Sequence, residues 1–370
     1  MKTYHADSAS AGLQAAAAAG LNWADFCLAA AEVLALAIPH DGICLGTADP
    51  TTSLLSGRVK VGLSDTDGAG EIKFVMHEYS ADDINRFSDL ARRDVGVSIL
   101  AEATGGRPEL SERHRFMVSE ADLQHEMRGT LRSDAKMWGF YSIYRYSGRS
   151  GFSPAEAEFM HRLEPIMTSG IRRGLISGDV NRQQFEQGAA VVIVDAADQV
   201  IWATAAAEER IVDLGGELWS RLPMPVAIVV SAVRGVPGQA PHVPHMRLRT
   251  RSGQWVSVHA ARVRGPEGVT SDIAVTIEAA GVAAIIPLIV AAYGLTERER
   301  TVVQQVLSGA STNEISQRLH LSPYTVQDHL KAVFDKTGVS SRRELQSRIF
   351  FDHYAGRMQG ELDANSWFAE

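Results

Sequence analysis

Cysteine is nearly missing: the 370 residues hold two, Cys27 and Cys44, which excludes a disulfide framework and a cysteine-rich zinc site. Long apolar runs are scarce. The run at 282–293 is about a dozen residues with Pro287 inside it, short of the ~20 that span a bilayer. The alanine-rich start lacks a basic segment ahead of a leucine-rich core, so it reads as a helix and not as a signal peptide. No membrane partner is expected, and the cytoplasm is the natural location. A surplus of positive charge is also absent. A net charge of −8 argues against a general nucleic-acid coat protein and places the acidic surplus upstream of the C-terminal segment.

Catalytic signatures are missing as well. There is no Gly-x-x-x-x-Gly-Lys-Ser/Thr phosphate loop, and His77-Glu78 lacks the second histidine of a zinc-protease helix. Asp82-Asp83 follows Ser80 and is expected to begin a helix. A phosphoacceptor domain would instead place such a pair just after its first strand. His242 and His245 fall in a Pro-rich loop and read as solvated. The expectation is a protein that is not an enzyme, with no catalytic residues, no metal and no cofactor. Length suggests two to three domains, since single cores rarely pass ~250–300 residues. With 45% hydrophobic and 22% charged residues, the chain has the composition of a folded protein.

What is present concentrates at the end, over 295–351, where four short amphipathic helices follow one another. Thr296-x-x-Glu299 is a capping box and Gly309 stops the helix it opens. Ser311 and Glu314 repeat the box, with Ile315 and Leu319 as the apolar face. After the turn at His320-Leu321-Ser322, Ser322 caps and Pro323 takes the first position of a third helix. Val326, Leu330, Val333 and Phe334 face inward at helical spacing, while Tyr324, Thr325, Gln327, Asp328 and Lys331 lie opposite. Gly338 ends that helix, and Ser341-x-x-Glu344 opens a fourth with Leu345 and Ile349 on its buried face.

The segment LTERERTVVQQVLSGASTNEISQRLHLSPYTVQDHLKAVFDKTGVSSRREL, about a sixth of the chain, resembles the DNA-binding domain of LuxR-type transcriptional regulators, also found in NarL/FixJ-type response regulators. The resemblance implies double-stranded DNA as partner, a third helix in the major groove, and a homodimer joined through the fourth helix at Leu345 and Ile349. Gln327 can pair bidentately with adenine and Asp328 can accept from cytosine. Thr312, Asn313, Arg318 and Lys331 suit phosphate oxygens, and Ser322, Tyr324 and Thr325 complete the expected contact set. The family usually carries a basic residue where this chain has Gln327. Residues 294–354 hold eight Lys/Arg against seven Asp/Glu, so non-specific affinity should be modest and binding should depend on two half-sites.

Upstream, two α/β modules are expected. The segment AVVIVDAADQVIWATAAAE resembles the opening of PAS sensor domains, in a strand-strand-helix-helix-strand-strand-strand order over 188–280. The segment WGFYSIYRYSGRSGFSPAEAEFMHRLEPIMTSGIRRGL resembles the last strand and closing helix of a GAF domain. Ahead of it we expect one long helix through Leu36 and strands at 42–46, 57–63 and 138–145. The fold class is therefore multidomain α+β: two antiparallel sheets with helices, then an all-α four-helix helix-turn-helix. The organisation is GAF-like 1–180, PAS-like 187–280, linker helix 281–293, DNA-binding domain 294–356 and tail 357–370. Cys44, Trp138, Tyr141 and Tyr144 are candidates to line a pocket for a small-molecule effector, although strand spacing also suits them to a core. The function implied is a one-component transcriptional regulator, with a DNA-binding adaptor that takes no ligand as the alternative.

Overall fold

The computed structural model describes residues 3–63, 68–177, 189–235, 244–266 and 268–354. It divides into two compact units, one holding both sheets and running to Ala279, the other beginning at Ala280. The first module contains α1 (Thr3–Ala18), α2 (Trp23–Ala37), β1 (Gly42–Ala48), β2 (Leu55–Val61), α3 (Gly68–Tyr79) and α4 (Phe87–Leu90). It continues through β3 (Val97–Ile99), α5 (Leu100–Ala103), α6 (Glu112–Ala121), β4 (Leu123–Ser133), β5 (Lys136–Tyr146) and α7 (Pro154–Ile176). The strands form one antiparallel sheet in the order β2-β1-β5-β4-β3.

The single long helix expected through Leu36 is two helices. Gly20 takes a φ of +71°, where glycine has no Cβ to clash. Asn22 then caps α2 by accepting from the Ala24 and Asp25 amides. Asp82-Asp83 does not begin a helix either. It lies in an irregular stretch before α4, where Asp83 Oδ2 accepts from the Arg113 amide at 2.8 Å in the first turn of α6.

Helix α7 begins with the Ser153/Glu156 capping box and covers one sheet face together with α2, while α1 packs on both helices. Gly170 lets this layer close: a Cβ there would sit 2.0 Å from the buried Phe26 ring on α2. The other face packs Cys44, Ala48 and Phe140 against Val75, Phe87 and Leu90. Residues 178–188 lie outside the described residues, as do 236–243 with His242 and the tail 357–370.

The second module contains β6 (Ala190–Val194), β7 (Val200–Ala203), α8 (Ala207–Asp213), α9 (Met224–Arg234), β8 (His245–Arg249), β9 (Trp255–Gly265) and β10 (Gly268–Ala279). Its order, β7-β6-β10-β9-β8, repeats that of the first sheet. His245 is not a loop residue. It opens β8, and its ring stacks on that of His259 at 5.6 Å.

The two modules share one apolar cluster, in which Val226, Val230, Met246 and Val256 join Leu54, Val75 and Phe140. A polar joint sits beside it. The fully buried Asp49 carboxylate accepts from Arg247 Nη2 at 2.6 Å, from its Nε at 2.9 Å and from its backbone amide at 2.9 Å. Burial pushes the Asp49 carboxyl up, but the Arg247 hydrogen bonds and charge outweigh it and hold the group below the usual carboxylate range.

Because that folded value is depressed, the joint's contribution is present above the unfolded pKa, ~4, and is lost as pH falls through the folded value. Asp49→Asn leaves a buried guanidinium short of its counter-charge. It should destabilise the sheet unit by ~3–5 kcal/mol near neutral pH. Urea unfolding of both proteins at pH 7 and pH 3 checks this; the gap between them should narrow in acid.

Candidate nucleic-acid interface

The second unit is helical: α10 (Val282–Ala292), α11 (Glu297–Leu307), α12 (Thr312–Leu319), α13 (Pro323–Thr337) and α14 (Arg342–Tyr354). Its core gathers Val302, Val303, Val306, Ile315, Val326, Leu330, Val333, Leu345 and Ile349. The local start signals operate as the spacing predicts. Thr296 and Glu299 close a reciprocal box on α11, Ser311 and Glu314 do so on α12, and Ser322 caps α13. The fourth helix departs from the expected box. Glu344 Oε2 accepts from the Ser340 amide at 2.7 Å while Ser341 Oγ accepts from the Glu344 amide at 3.2 Å, so the two halves use neighbouring serines.

Glu299 has a second task that spacing alone did not reveal. Its two carboxylate oxygens accept from Lys336 Nζ at 2.9 and 2.6 Å, tying the end of α13 to the start of α11. Burial raises the Glu299 carboxyl, but the hydrogen bond from Lys336 and the Thr296 cap outweigh it and leave it below its ordinary value. On α14, Gln346 Nε2 donates to Val306 O at 2.9 Å, and Arg342 donates to Ala310 O and Thr312 Oγ1. These bonds tie α14 to the end of α11 and to the start of α12.

The expected contact residues divide into free and engaged. Tyr324 is 73% exposed, and Gln327, Asp328 and Lys331 are exposed with it. At positions i, i+3, i+4 and i+7 they form one outward stripe on α13. Among the described residues none of their side chains is paired. Asn313, on α12, is likewise exposed and unpaired. The others already have partners. Ser322 Oγ and Thr325 Oγ1 lie 2.8 Å apart and serve the cap of α13. Arg318 Nη1 donates to Gln305 Oε1 at 2.8 Å, and Thr312 is held by Arg342.

Leu345 and Ile349 must be corrected. Both are fully buried, so they hold α14 to its own domain and offer no surface to a second copy. Among the α14 residues whose side chains are described, the exposed ones are polar, Arg343 and Glu344. Arg342 was missed because its partners lie 30 and 32 positions earlier. A signal existed: basic residues in a first helical turn oppose the helix dipole and call for another acceptor.

Residues 294–348 match the model for bacterial regulatory proteins of the luxR family. The transcriptional regulatory protein UhpA of Salmonella typhimurium is 32% identical over 146 residues, covering 37% of this chain and 69% of that protein. The chain belongs to the luxR family of bacterial regulatory proteins. A putative HTH-type transcriptional regulator of Mycobacterium bovis, Mb0914c, is 49% identical over 51 residues, 14% of this chain. The match spans only 6% of that mycobacterial protein. Among solved structures, the Vibrio cholerae VqmA dimer aligns at 15% identity over 44% of this chain and 82% of that one, with a TM-score of 0.19. That value is too low to transfer fold or function. This luxR-family chain thus carries a helix-turn-helix DNA-binding domain over residues 294–348.

The pocket candidates of this luxR-type regulator do not converge. Tyr141 and Tyr144, three apart on β5, point to opposite faces, whereas the register shift opposite Leu131 and Arg132 leaves Trp138 on the Tyr141 side. Trp138 lies under the Arg172 guanidinium of α7 at 5.1 Å. Tyr141 lies across Gly129 on the same side, where its neighbour Gly139 approaches Ile171 of α7. Cys44 and Tyr144 belong to the opposite face, beside Ser142 and Glu126 respectively. All four are buried. On the Tyr144 side, Arg113 is fork-bonded to Glu126, and Arg128 donates to Glu78 and to Asn85 O. The Arg128 guanidinium lies 3.7 Å from the Phe87 ring centroid. Among the described residues no three His, Cys, Asp or Glu side chains gather as metal ligands would.

The clamp on α13 gives a test. Glu299→Gln removes the counter-charge of Lys336 and weakens the cap of α11, so the helical unit should lose ~1–2 kcal/mol. Since the folded carboxyl is depressed, wild type should lose the same stability as pH falls below ~4, and the variant should not. Amide exchange in α11 and α13 across that range is the measurement.

Proposed function

We propose that this chain is a one-component transcriptional regulator in which a GAF-like first module and a PAS-like second module sense a small molecule or partner and control a dimeric helix-turn-helix. Helix α13 reads the major groove. Gln327 and Asp328 address base edges, Tyr324 adds an apolar contact, and Lys331, Asn313, Thr312 and Arg318 take phosphates. Ser322 and Thr325 shape the start of α13. The protein acts as a homodimer in the cytoplasm; no described helix is long and apolar enough to cross a membrane. One observation carries the reading: the unpaired stripe Tyr324, Gln327, Asp328 and Lys331 on a helix otherwise locked by Ser322 and Lys336. The shared strand order of the two sheets supports their treatment as related sensory modules.

A second reading, a regulator that binds DNA constitutively and docks on another protein without a ligand, is favoured by the filled interiors. The first sheet spends one face on Arg113, Arg128, Glu78 and Glu126, and the second packs Val192, Val194, Val256, Val258 and Val275 inward. A thermal-shift screen of the sheet unit separates the two, because a ligand bound at 100 times its Kd adds ~2.7 kcal/mol. No stabilising compound would favour the adaptor.

Selection from a random duplex library by the full-length protein should recover a two-fold-symmetric motif with half-sites about one helical turn (~34–36 Å) apart. On the selected site, Gln327→Ala should cost ~1–3 kcal/mol and relax preference at one base position. Lys331→Ala should weaken all sequences alike and lower the salt slope by about 1. Equal effects of both substitutions on every sequence would refute these assignments.

A further inference from the structure

The contact between α14 and the start of α12 has no part in the core. Arg342, half-buried in the first turn of α14, donates from Nη1 to Ala310 O at 2.8 Å and from Nη2 to Thr312 Oγ1 at 2.9 Å. Ala310 is itself fixed on its other side, its amide donating to Gln305 O at 3.0 Å. The junction between α11 and α12 is therefore held at both the amide and the carbonyl of one residue, and the Thr312 side chain two residues on is met by the same planar fork. A guanidinium can only donate, and a threonine hydroxyl has one proton and two lone pairs. With a lone pair of Thr312 taken by Arg342, its proton must go elsewhere. Among the described residues no acceptor takes it.

We propose that Arg342 is a positioning residue for DNA binding: by occupying the acceptor side of the Thr312 hydroxyl, it turns that hydroxyl's proton outward as a donor to a phosphate oxygen of the duplex. Arg342 acts through Thr312 and does not touch the backbone of the DNA itself. The chemistry fits the place. Thr312 is the first residue of α12, next to the exposed Asn313, and the leading helix of such a pair crosses the DNA backbone. The fork geometry explains why arginine serves here. Lysine has no planar pair of donors with which to hold a carbonyl and a hydroxyl together.

The inference rests on the DNA-binding reading above, and its test separates the two. Affinity of the full-length protein for its selected duplex is measured from low to moderate salt for wild type, Thr312→Val, Arg342→Ala, Arg342→Lys and the double variant Thr312→Val/Arg342→Ala. Loss of one hydrogen bond to an anionic phosphate oxygen should lower affinity about tenfold in Thr312→Val, and Arg342→Ala should do the same with an unchanged salt slope. The double variant should be no weaker than Arg342→Ala alone, and Arg342→Lys should restore less than half of the loss. Thermal unfolding of each variant accompanies the titrations. If Arg342 only stabilises the fold, Arg342→Ala costs as much affinity in the Thr312→Val background as in wild type, and the assignment is overturned. A salt slope lower by about 1 in Arg342→Ala would mean that Arg342 grips a phosphate directly, which also overturns it. Failure of the unaltered protein to enrich any duplex would remove the DNA-binding reading itself, and this inference with it.

Discussion

A guanidinium or carboxylate taken out of water must find its partners in the protein, and this one constraint organises the molecule more than any apolar pattern does. Arg113 and Arg128 are fully buried on one face of the first sheet and are accepted by Glu126, Glu78 and two backbone carbonyls of the stretch between α3 and α4. That irregular stretch has no ladder of its own; the arginines are what hold its carbonyls. Arg247 does the same between the modules with Asp49, and Lys336 between helices with Glu299. In each case an ion pair joins elements far apart in sequence. Breaking one of the buried pairs made by Arg113, Arg128 or Arg247 strands a charge and costs more than an apolar contact of the same size.

The same constraint bears on ligand sensing. A sensor pocket needs unfilled space beside groups that can recognise a guest. In the first sheet the face opposite α7 carries Glu126, Arg128, Ser142 and Tyr144, with the charges matched to one another. A ligand entering there would have to displace charge-assisted hydrogen bonds made by groups without access to water. It would have to replace them nearly one for one. The shared apolar cluster also makes it costly for the two modules to part, so a signal that depends on the sheets separating works against Asp49, Arg247 and the contacts around Val226 and Val75.

The sequence was most legible where structure is decided within four residues. Thr296/Glu299, Ser311/Glu314, Ser322-Pro323 and Gly338 are local devices, and each sits where its spacing indicates. The strands β1, β2 and β5 were visible as apolar runs for the same reason. β4 was not. Its sequence, LQHEMRGTLRS, reads as solvated because Glu126 and Arg128 look like surface charges until Arg113 and Glu78 are brought to them from other elements. The break at Gly20 was hidden by the alanine run before it. That Tyr141 and Tyr144 face opposite ways was legible, since the period of a strand is two; the register shift that keeps Trp138 on the Tyr141 side was not. The inward turn of Leu345 and Ile349 was visible as a helical face, but which body that face would meet was not.

That last point changes how a dimer must be argued. With Leu345 and Ile349 consumed by the helical core, the α14 side chains described as exposed or half-buried that a second copy could meet include Arg343, Glu344, Ser347 and Arg348. Exposed charged pairs of that kind contribute at most ~1 kcal/mol each and weaken with salt. They can set an orientation, yet they supply little of the association free energy. The reading face is similarly sparing: Lys331 is its one cation, set beside Asp328. A domain with eight basic and seven acidic residues over 294–354 gains little from counterion release. In the proposed homodimer, affinity for an operator comes from two half-sites engaged at once through the association of the two copies. Any process that alters that association would change DNA occupancy steeply while leaving α13 and its side chains as they are.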